Sequence, residues 1–281
     1  MNTTIAITGG RGMLGSDLAA VLEKAGYQTR ALDLPDFDLA DPVRLKQGLD
    51  GVEIVVNCAA FTNVDQAEDA PETAMHINAE AVGNLGVWAK ERNAYLIHIS
   101  TDFVFDGESA RPYLETDMPR PINVYGQSKL KGEELLRQSG CRCAIVRVQW
   151  SYGKHGVNFV AKLLERSRGG GALKVVNDQT GAPTWTLDMA RAINSLLRER
   201  PEGIFHFANA GYATRYETAM FIARKMRLPN PIKPCASSEF PAKARRPKNS
   251  RFCTDKIQAL LDHEIRSWEE ALDAFLQNRA S

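Results

Sequence analysis

The chain has 281 residues, with 35 Lys and Arg against 34 Asp and Glu, 44% hydrophobic and 25% charged residues. That size and composition exclude a fibre or a disordered tail and fit one or two packed units. A formal net charge of +1 provides no global field for nucleic acid or an anionic membrane surface, so an anionic ligand has to be bound locally, and no apolar run is long enough for a membrane span.

Short apolar segments at residues 4–7, 28–32, 53–57, 95–99, 144–148, 173–176 and 204–207 alternate with helical patterns near 42–49, 72–92, 126–137, 158–168, 186–198, 216–226 and 268–276. Continuous apolar strands alternating with helices predict an α/β fold: a Rossmann-like, doubly wound parallel sheet covered on both faces. The first apolar segment runs straight into glycines instead of a secretory h-region, which points to a cytoplasmic protein. Glycines 9, 12 and 15 of Thr8-Gly9-Gly10-Arg11-Gly12-Met13-Leu14-Gly15 follow that strand and open a helix whose Leu14, Leu18, Val21, Leu22 and Ala25 make one stripe. Gly9 allows the tight turn, Gly12 the approach of a pyrophosphate and Gly15 close helix packing, while the helix start at Met13 and Leu14 supplies free amides. The position of this loop marks a dinucleotide site.

Asp33 ends the second strand, where a carboxylate accepts from adenine-ribose hydroxyls and favours NAD; Arg11 or Arg30 meeting a 2′-phosphate keeps NADP open. Asp38, followed by Leu39, is placed to cap adenine or to form a turn. After the third strand, Asn57-Cys58-Ala59-Ala60 offers small side chains where a cofactor passes or where helix meets sheet. Ser100-Thr101-Asp102 ends the strand at 95–99, where such sheets collect ligands. Tyr125 and Lys129, four apart on a helix, share a face, and an ammonium beside a phenol favours its ionised form and so enables acid-base work.

Beyond Trp150 the rhythm is broken by Gly169-Gly170-Gly171, read as a tight loop, by Asn177-Asp178-Gln179-Thr180-Gly181 and by a proline-rich stretch at 229–247. Residues 1–150, with a return segment near 184–208, are therefore expected to form the dinucleotide lobe, and 151–281 mainly a smaller α/β substrate lobe. Lys243, Arg245, Arg246, Lys248 and Arg251 place five cations in nine residues, suited to a diphosphate or to a solvated face. Five scattered cysteines without a CxxC pair read as reduced thiols. The histidines at 76, 98, 155, 206 and 263 lack metal-ligand spacing and read as structural or surface groups. Glu133-Glu134 and Glu269-Glu270 read as exposed helical faces, not as a two-carboxylate hydrolase.

The ordered set of Thr8-Gly9-x-x-Gly12-x-x-Gly15, Asn57-x-Ala59-Ala60, Ser100-Thr101-Asp102 and Tyr125-x-x-x-Lys129 resembles the extended short-chain dehydrogenase/reductase family. Ser100-Thr101-Asp102-Phe103-Val104-Phe105-Asp106-Gly107, Asn123-Val124-Tyr125-Gly126, Asn177-Asp178-Gln179-x-Gly181-Ala182-Pro183-Thr184 and Arg246-Pro247-x-Asn249-Ser250-Arg251 extend the likeness nearly end to end, toward its nucleotide-sugar ketoreductases. The resemblance implies reduction of the C4 ketone of a dTDP-linked 6-deoxy-4-keto sugar by NADPH or NADH. It makes Thr101, Tyr125 and Lys129 catalytic and assigns cofactor contacts to Gly9, Gly12, Met13, Leu14, Asp33, Asp38, Leu39, Ala59, Ala60, Thr62, Tyr125 and Lys129. It gives substrate contacts to Thr101, Asp102, Phe103, Trp150 and Arg246. Phe103 stands where a tyrosine is usual and Thr180 where an aromatic is frequent. Some members hold Mg2+ through acidic residues at a dimer contact; no such ligand set is found here, and a monomer or a homodimer is compatible with the chain. The rival readings are sugar-nucleotide dehydration or epimerisation on the same fold, and a non-catalytic NAD(P)-binding regulatory subunit.

Overall fold

The structure, a computed structural model, describes residues 3–240 and 242–280. In chain order its first half comprises β1 (Thr4–Thr8), α1 (Met13–Lys24), β2 (Gln28–Leu32), α2 (Pro42–Gly48), β3 (Ile54–Asn57), α3 (Val64–Asp69), α4 (Pro71–Met75), a π-helical turn (His76–Glu80), α5 (Ala81–Glu91), β4 (Tyr95–Thr101), a 3-10 turn (Asp102–Val104), α6 (Val124–Gln138) and β5 (Cys143–Val148). The second half adds β6 (Ser151–Tyr152), α7 (Phe159–Ser167), β7 (Leu173–Val176), β8 (Thr180–Gly181), β9 (Thr184–Trp185), α8 (Thr186–Glu199), β10 (Gly203–Phe207), β11 (Ala213–Thr214), α9 (Arg215–Met226), β12 (Ile232–Cys235), a 3-10 turn (Ser237–Glu239), α10 (Asp255–Gln258) and α11 (Trp268–Ala280).

Six parallel strands form the main sheet in the order β10-β5-β4-β3-β1-β2. The chain leaves β1 toward β2 on one side and continues from β3 on the other, so a crevice opens beyond the carboxyl ends of β1 and β3, where α/β sheets bind ligands. One apolar layer joins Ile5, Ile7, Leu18 and Leu22 to Ile193, Leu196 and Phe207; the opposite layer joins Val55, Leu85, Trp88, Leu96 and Leu136. Thus α8 and β10, although beyond residue 150, complete the layers of the main sheet. A separate core of Tyr152, Val160, Leu173, Trp185, Ile222, Leu272 and Phe275 knits together much of the remaining second half.

Two expectations are corrected. Residues 173–176 form a strand, but β7 pairs with β12 outside the main sheet, a partnership that strand periodicity cannot reveal because it encodes burial and not neighbours. The helix expected over 72–92 runs without a gap but is not uniform, α4, the π turn and α5 following one another. The extra residue in that turn accompanies a side-chain bridge: Asn78 accepts from the Phe61 amide and donates to the Phe61 carbonyl and to Ser128 Oγ of α6.

Candidate active site

Every residue to which the family resemblance gives a catalytic, cofactor or substrate role lines one cleft of about 1580 Å³ at the carboxyl end of the sheet. At its nucleotide end Gly9 has φ of +67°, and a Cβ there would press on the Ala59 backbone at 2.7 Å, so the turn demands glycine twice over. Gly12 caps α1, leaving the first-turn amides of Met13 and Leu14, two residues of the cleft lining, without partners inside the helix. Asp33 receives the Arg11 amide at 2.8 Å and the Leu34 amide at 2.9 Å; its carboxylate clamps the glycine turn to the end of β2. Asp38 accepts the Ala40 amide, which realises the turn role while leaving it on the cleft wall beside buried Leu39. Arg30 is taken up by the Gly48 and Asp50 carbonyls, whereas Arg11 lies beside Asp33 and pairs with Asp36.

The chemical end is built where β4 meets α6. The start of α6 packs so closely on the 3-10 turn that a Cβ at Gly126 would overlap the Phe103 carbonyl oxygen; Asn123 caps the helix by accepting the Gly126 amide at 2.7 Å. This contact sets Tyr125 against Phe103, ring centroids 5.5 Å apart and edge to face. Burial pushes the Tyr125 phenol up to about 12, the Thr101 hydroxyl acting against it. The expected promotion of the phenolate by Lys129 is therefore not what the geometry delivers: desolvation dominates, and Tyr125 is held as a proton-bearing phenol. Lys129 is buried, donates to the Ile99 carbonyl at 2.7 Å and is lowered to about 8 by burial. Thr101 Oγ1 accepts from the Phe103 amide and donates to Asp102. Burial raises the Asp102 carboxyl to about 6 against the pull of the Ser250 and Thr101 hydroxyls.

On the opposite wall Trp150 has a φ of +45°, a conformation that a bulky residue adopts under local constraint and one that concentrates at functional sites. Its ring is covered by the Arg215 guanidinium, with Cζ 3.6 Å from the ring centroid. Among the described residues no carboxylate pairs with Arg215; burial and then the neighbouring Arg246 lower it to about 9, with Asp102 opposing. Arg246 is bound by Asp65 through both oxygens, at 3.2 and 2.7 Å, and Lys243 by Asp69. Arg245 and Lys248 line the cleft, while Arg251 turns to the Asn249 side chain and the Ala110 carbonyl. The run of five cations is thus divided between site and surface.

Glu133, expected on an exposed face, is 2% exposed and receives Arg147 through Nε at 2.9 Å and Nη2 at 2.6 Å, with Ser100 Oγ donating to it at 2.5 Å. Its burial follows from the partner: a carboxylate enters a core when an arginine fork meets it. Arg215, which lines the cleft, and the contact of buried His98 with Lys129 were not singled out from the sequence. His98 carried a signal, a polar residue in the wholly apolar run Leu96-Ile97-His98-Ile99; nothing in the local pattern marked Arg215. Among the described residues no group of three His, Cys, Asp or Glu side chains is arranged to hold a metal, and no helix is long and apolar enough to cross a membrane.

Residues 3–281 match the family model of the RmlD substrate binding domain. The chain belongs to that family. Similar RmlD-type proteins include the dTDP-4-dehydrorhamnose reductase of Mycolicibacterium smegmatis, 37% identical over 97% of this chain and 84% of that protein. The spore coat polysaccharide biosynthesis protein SpsK of Bacillus subtilis is 38% identical over 99% of both chains. The dTDP-4-dehydrorhamnose reductase of Bacillus anthracis, solved in complex with NADP, superposes with a TM-score of 0.95 at 34% identity, covering 99% of this chain and 100% of that one. The dTDP-glucose 4,6-dehydratase DesIV of Streptomyces venezuelae, at 19% identity and a TM-score of 0.85 over 98% of this chain and 96% of its own, shares the fold.

Proposed function

We propose that this chain reduces the C4 ketone of dTDP-4-dehydro-L-rhamnose (dTDP-6-deoxy-L-lyxo-4-hexulose) to dTDP-L-rhamnose, using NADPH or NADH, for rhamnose-containing cell-surface polysaccharides such as the O-antigen. The observation that carries this reading is the shared cleft: Thr101, Tyr125 and Lys129 lie on the floor reached from the Gly9 turn. The first lobe, residues 1–150 with the return near 184–208, holds the dinucleotide, and the rest of 151–281 closes over the sugar nucleotide. The reading carries with it a cytoplasmic chain acting as a monomer or a homodimer.

A nicotinamide dinucleotide fits the residues present, since the glycine turn at Gly9 and Gly12 and the first-turn amides of Met13 and Leu14 line the cleft and offer donors to a pyrophosphate. Asp33, Asp38, Leu39, Ala59, Ala60 and Thr62 line its continuation. When bound in reduced form it supplies the hydride. Tyr125, kept as a phenol by burial, delivers the proton to the sugar oxygen as charge develops there, and the Thr101 hydroxyl turns to donate to the same oxygen. Lys129, one helical turn along, returns a proton to Tyr125. A dehydratase needs a further acid beside the Thr-Asp pair; Phe103 occupies that place and packs on Tyr125, which favours reduction.

The diphosphate of the substrate meets Arg215, a desolvated cation repelled by Arg246 and stacked on Trp150, while Asp102 and Phe103 border the sugar. Losing charge-assisted bonds to phosphate costs about 1.5–3 kcal/mol, so Arg215→Ala is expected to raise KM for the sugar nucleotide roughly 10- to 100-fold, with cofactor affinity unchanged. The reading is tested by supplying the product of a coupled dehydratase and epimerase with each reduced coenzyme and following absorbance. Stoichiometric coenzyme consumption supports it. Absence of turnover with both coenzymes sinks it, and sugar conversion without net consumption identifies an epimerase or dehydratase instead.

A further inference from the structure

Behind Lys129 runs a chain of buried polar groups whose hydrogen-bond directions are fixed by one backbone amide. Thr8, Asn57 and His98 are fully buried. Asn57 Oδ1 accepts from the Ala59 amide at 3.1 Å and from the Thr8 hydroxyl at 2.7 Å. An amide N–H can do nothing but donate, so the carboxamide oxygen is held on that side and Nδ2 is the end that faces His98 Nδ1 at 3.0 Å. Nδ2 donates and Nδ1 accepts. Burial, followed by the Lys129 charge, drives the imidazole well below its ordinary range, so it is neutral. A neutral imidazole whose Nδ1 accepts carries its proton on Nε2, and Nε2 lies 3.3 Å from Lys129 Nζ.

An ammonium has three donors and no lone pair, so it meets the Nε2–H as donor against donor, whereas the free amine accepts from it. The other groups around Lys129 do not reverse this. On its own helix Glu133 favours the charge, but that carboxylate is already held by Arg147 of β5 and by Ser100; Tyr125, one turn back, is a neutral phenol. After β3, the Cys58 thiol is pushed up to about 12 by burial and is neutral. From β4 come His98 and the Ile99 carbonyl, while Asp102 beyond it bonds to Ser250 and Thr101.

We propose that His98 is a positioning residue for Lys129: held by Asn57 as the Nε2–H tautomer, it turns a donor toward the amine and so favours the amine over the ammonium, easing release of the lysine's proton. This rests on the reductase reading for its catalytic meaning, but its test does not require turnover. Long-range 1H–15N spectra of the full chain carrying 15N-histidine report the tautomer, and 13C-lysine spectra report the titration of Lys129, assigned by its loss in Lys129→Met. The expected result is an Nε2–H imidazole and a lysine that titrates near 8. In His98→Gln the carboxamide oxygen can face the amine, and the lysine midpoint should rise by about one pH unit, the size of a single hydrogen-bond change. In His98→Leu the donor is gone and the midpoint should also rise.

If the wild type reduces the 4-keto sugar, the alkaline limb of kcat should move upward in step in both variants; a merely structural histidine would lower kcat without moving the limb. An Nδ1–H tautomer, or an unshifted lysine in folded variants, overturns the proposal. Should both variants fail to fold, the wild-type tautomer decides. A wild type inactive toward every sugar nucleotide with an Nε2–H tautomer and a lysine titrating near 8 would defeat the reductase reading and leave this one standing.

Discussion

Tyr125→Phe is expected to lower kcat by roughly 10²- to 10⁴-fold, the range by which a positioned general acid accelerates proton transfer, while NADPH binding and the KM for the sugar nucleotide stay within a few-fold of wild type. The substitution removes one oxygen and keeps the ring, so the edge-to-face contact with Phe103 and the packing of α6 on the turn after β4 survive. What disappears, on the proposed mechanism, is the proton source. With the phenol held up to about 12, wild-type Tyr125 carries its proton through the whole assay range, so it should add no limb of its own near neutrality, and the limb expected near 8 would report Lys129. Steady-state kinetics with cofactor titration by fluorescence separate the outcomes. A variant with full kcat would remove Tyr125 from the chemistry and revive the reading of a binding subunit, whereas a variant that loses cofactor affinity in parallel would make the residue structural.

What could be read from the chain and what could not divide along a physical line. The glycine turn, the strand-end hydroxyls and the Tyr125–Lys129 spacing are local patterns, in which the residue type and its place beside a strand or helix already state the requirement. The six strands of the main sheet follow likewise from apolar runs, including β10. The partnership of β7 with β12 and the stacking of Arg215 on Trp150 join residues dozens of positions apart, the burial of Glu133 depends on Arg147 of the next strand, and no local pattern encodes a partner. The π turn is an intermediate case. Its sequence is helical throughout, and the distortion accompanies the grip of Asn78 on Phe61 and Ser128, two contacts made in tertiary structure. The run from Lys243 to Arg251 shows the same limit, since its composition announces charge without saying which cations Asp65 and Asp69 take up.

Arg147→Met should destabilise the protein by about 3–5 kcal/mol, the usual cost of stranding one member of a buried ion pair. Arg147 is 1% exposed and Glu133 2%, and the guanidinium also lies over the Phe105 ring at 5.1 Å and beside His206 Nε2 at 3.5 Å. Without it the Glu133 carboxylate keeps the Ser100 hydroxyl as a donor and is otherwise desolvated. Urea unfolding of the variant beside wild type measures the loss. Adding Glu133→Leu removes the stranded charge, and the double variant should regain most of the loss, less about 1–3 kcal/mol for the orphaned Ser100 hydroxyl. Because Ser100 precedes Thr101 on β4, the double variant should fold and still show reduced kcat, separating what the pair contributes to stability from what it contributes to the floor of the cleft. An Arg147→Met protein within about 1 kcal/mol of wild type at neutral pH would show that water or relaxation compensates the carboxylate, contrary to the sealed geometry around it.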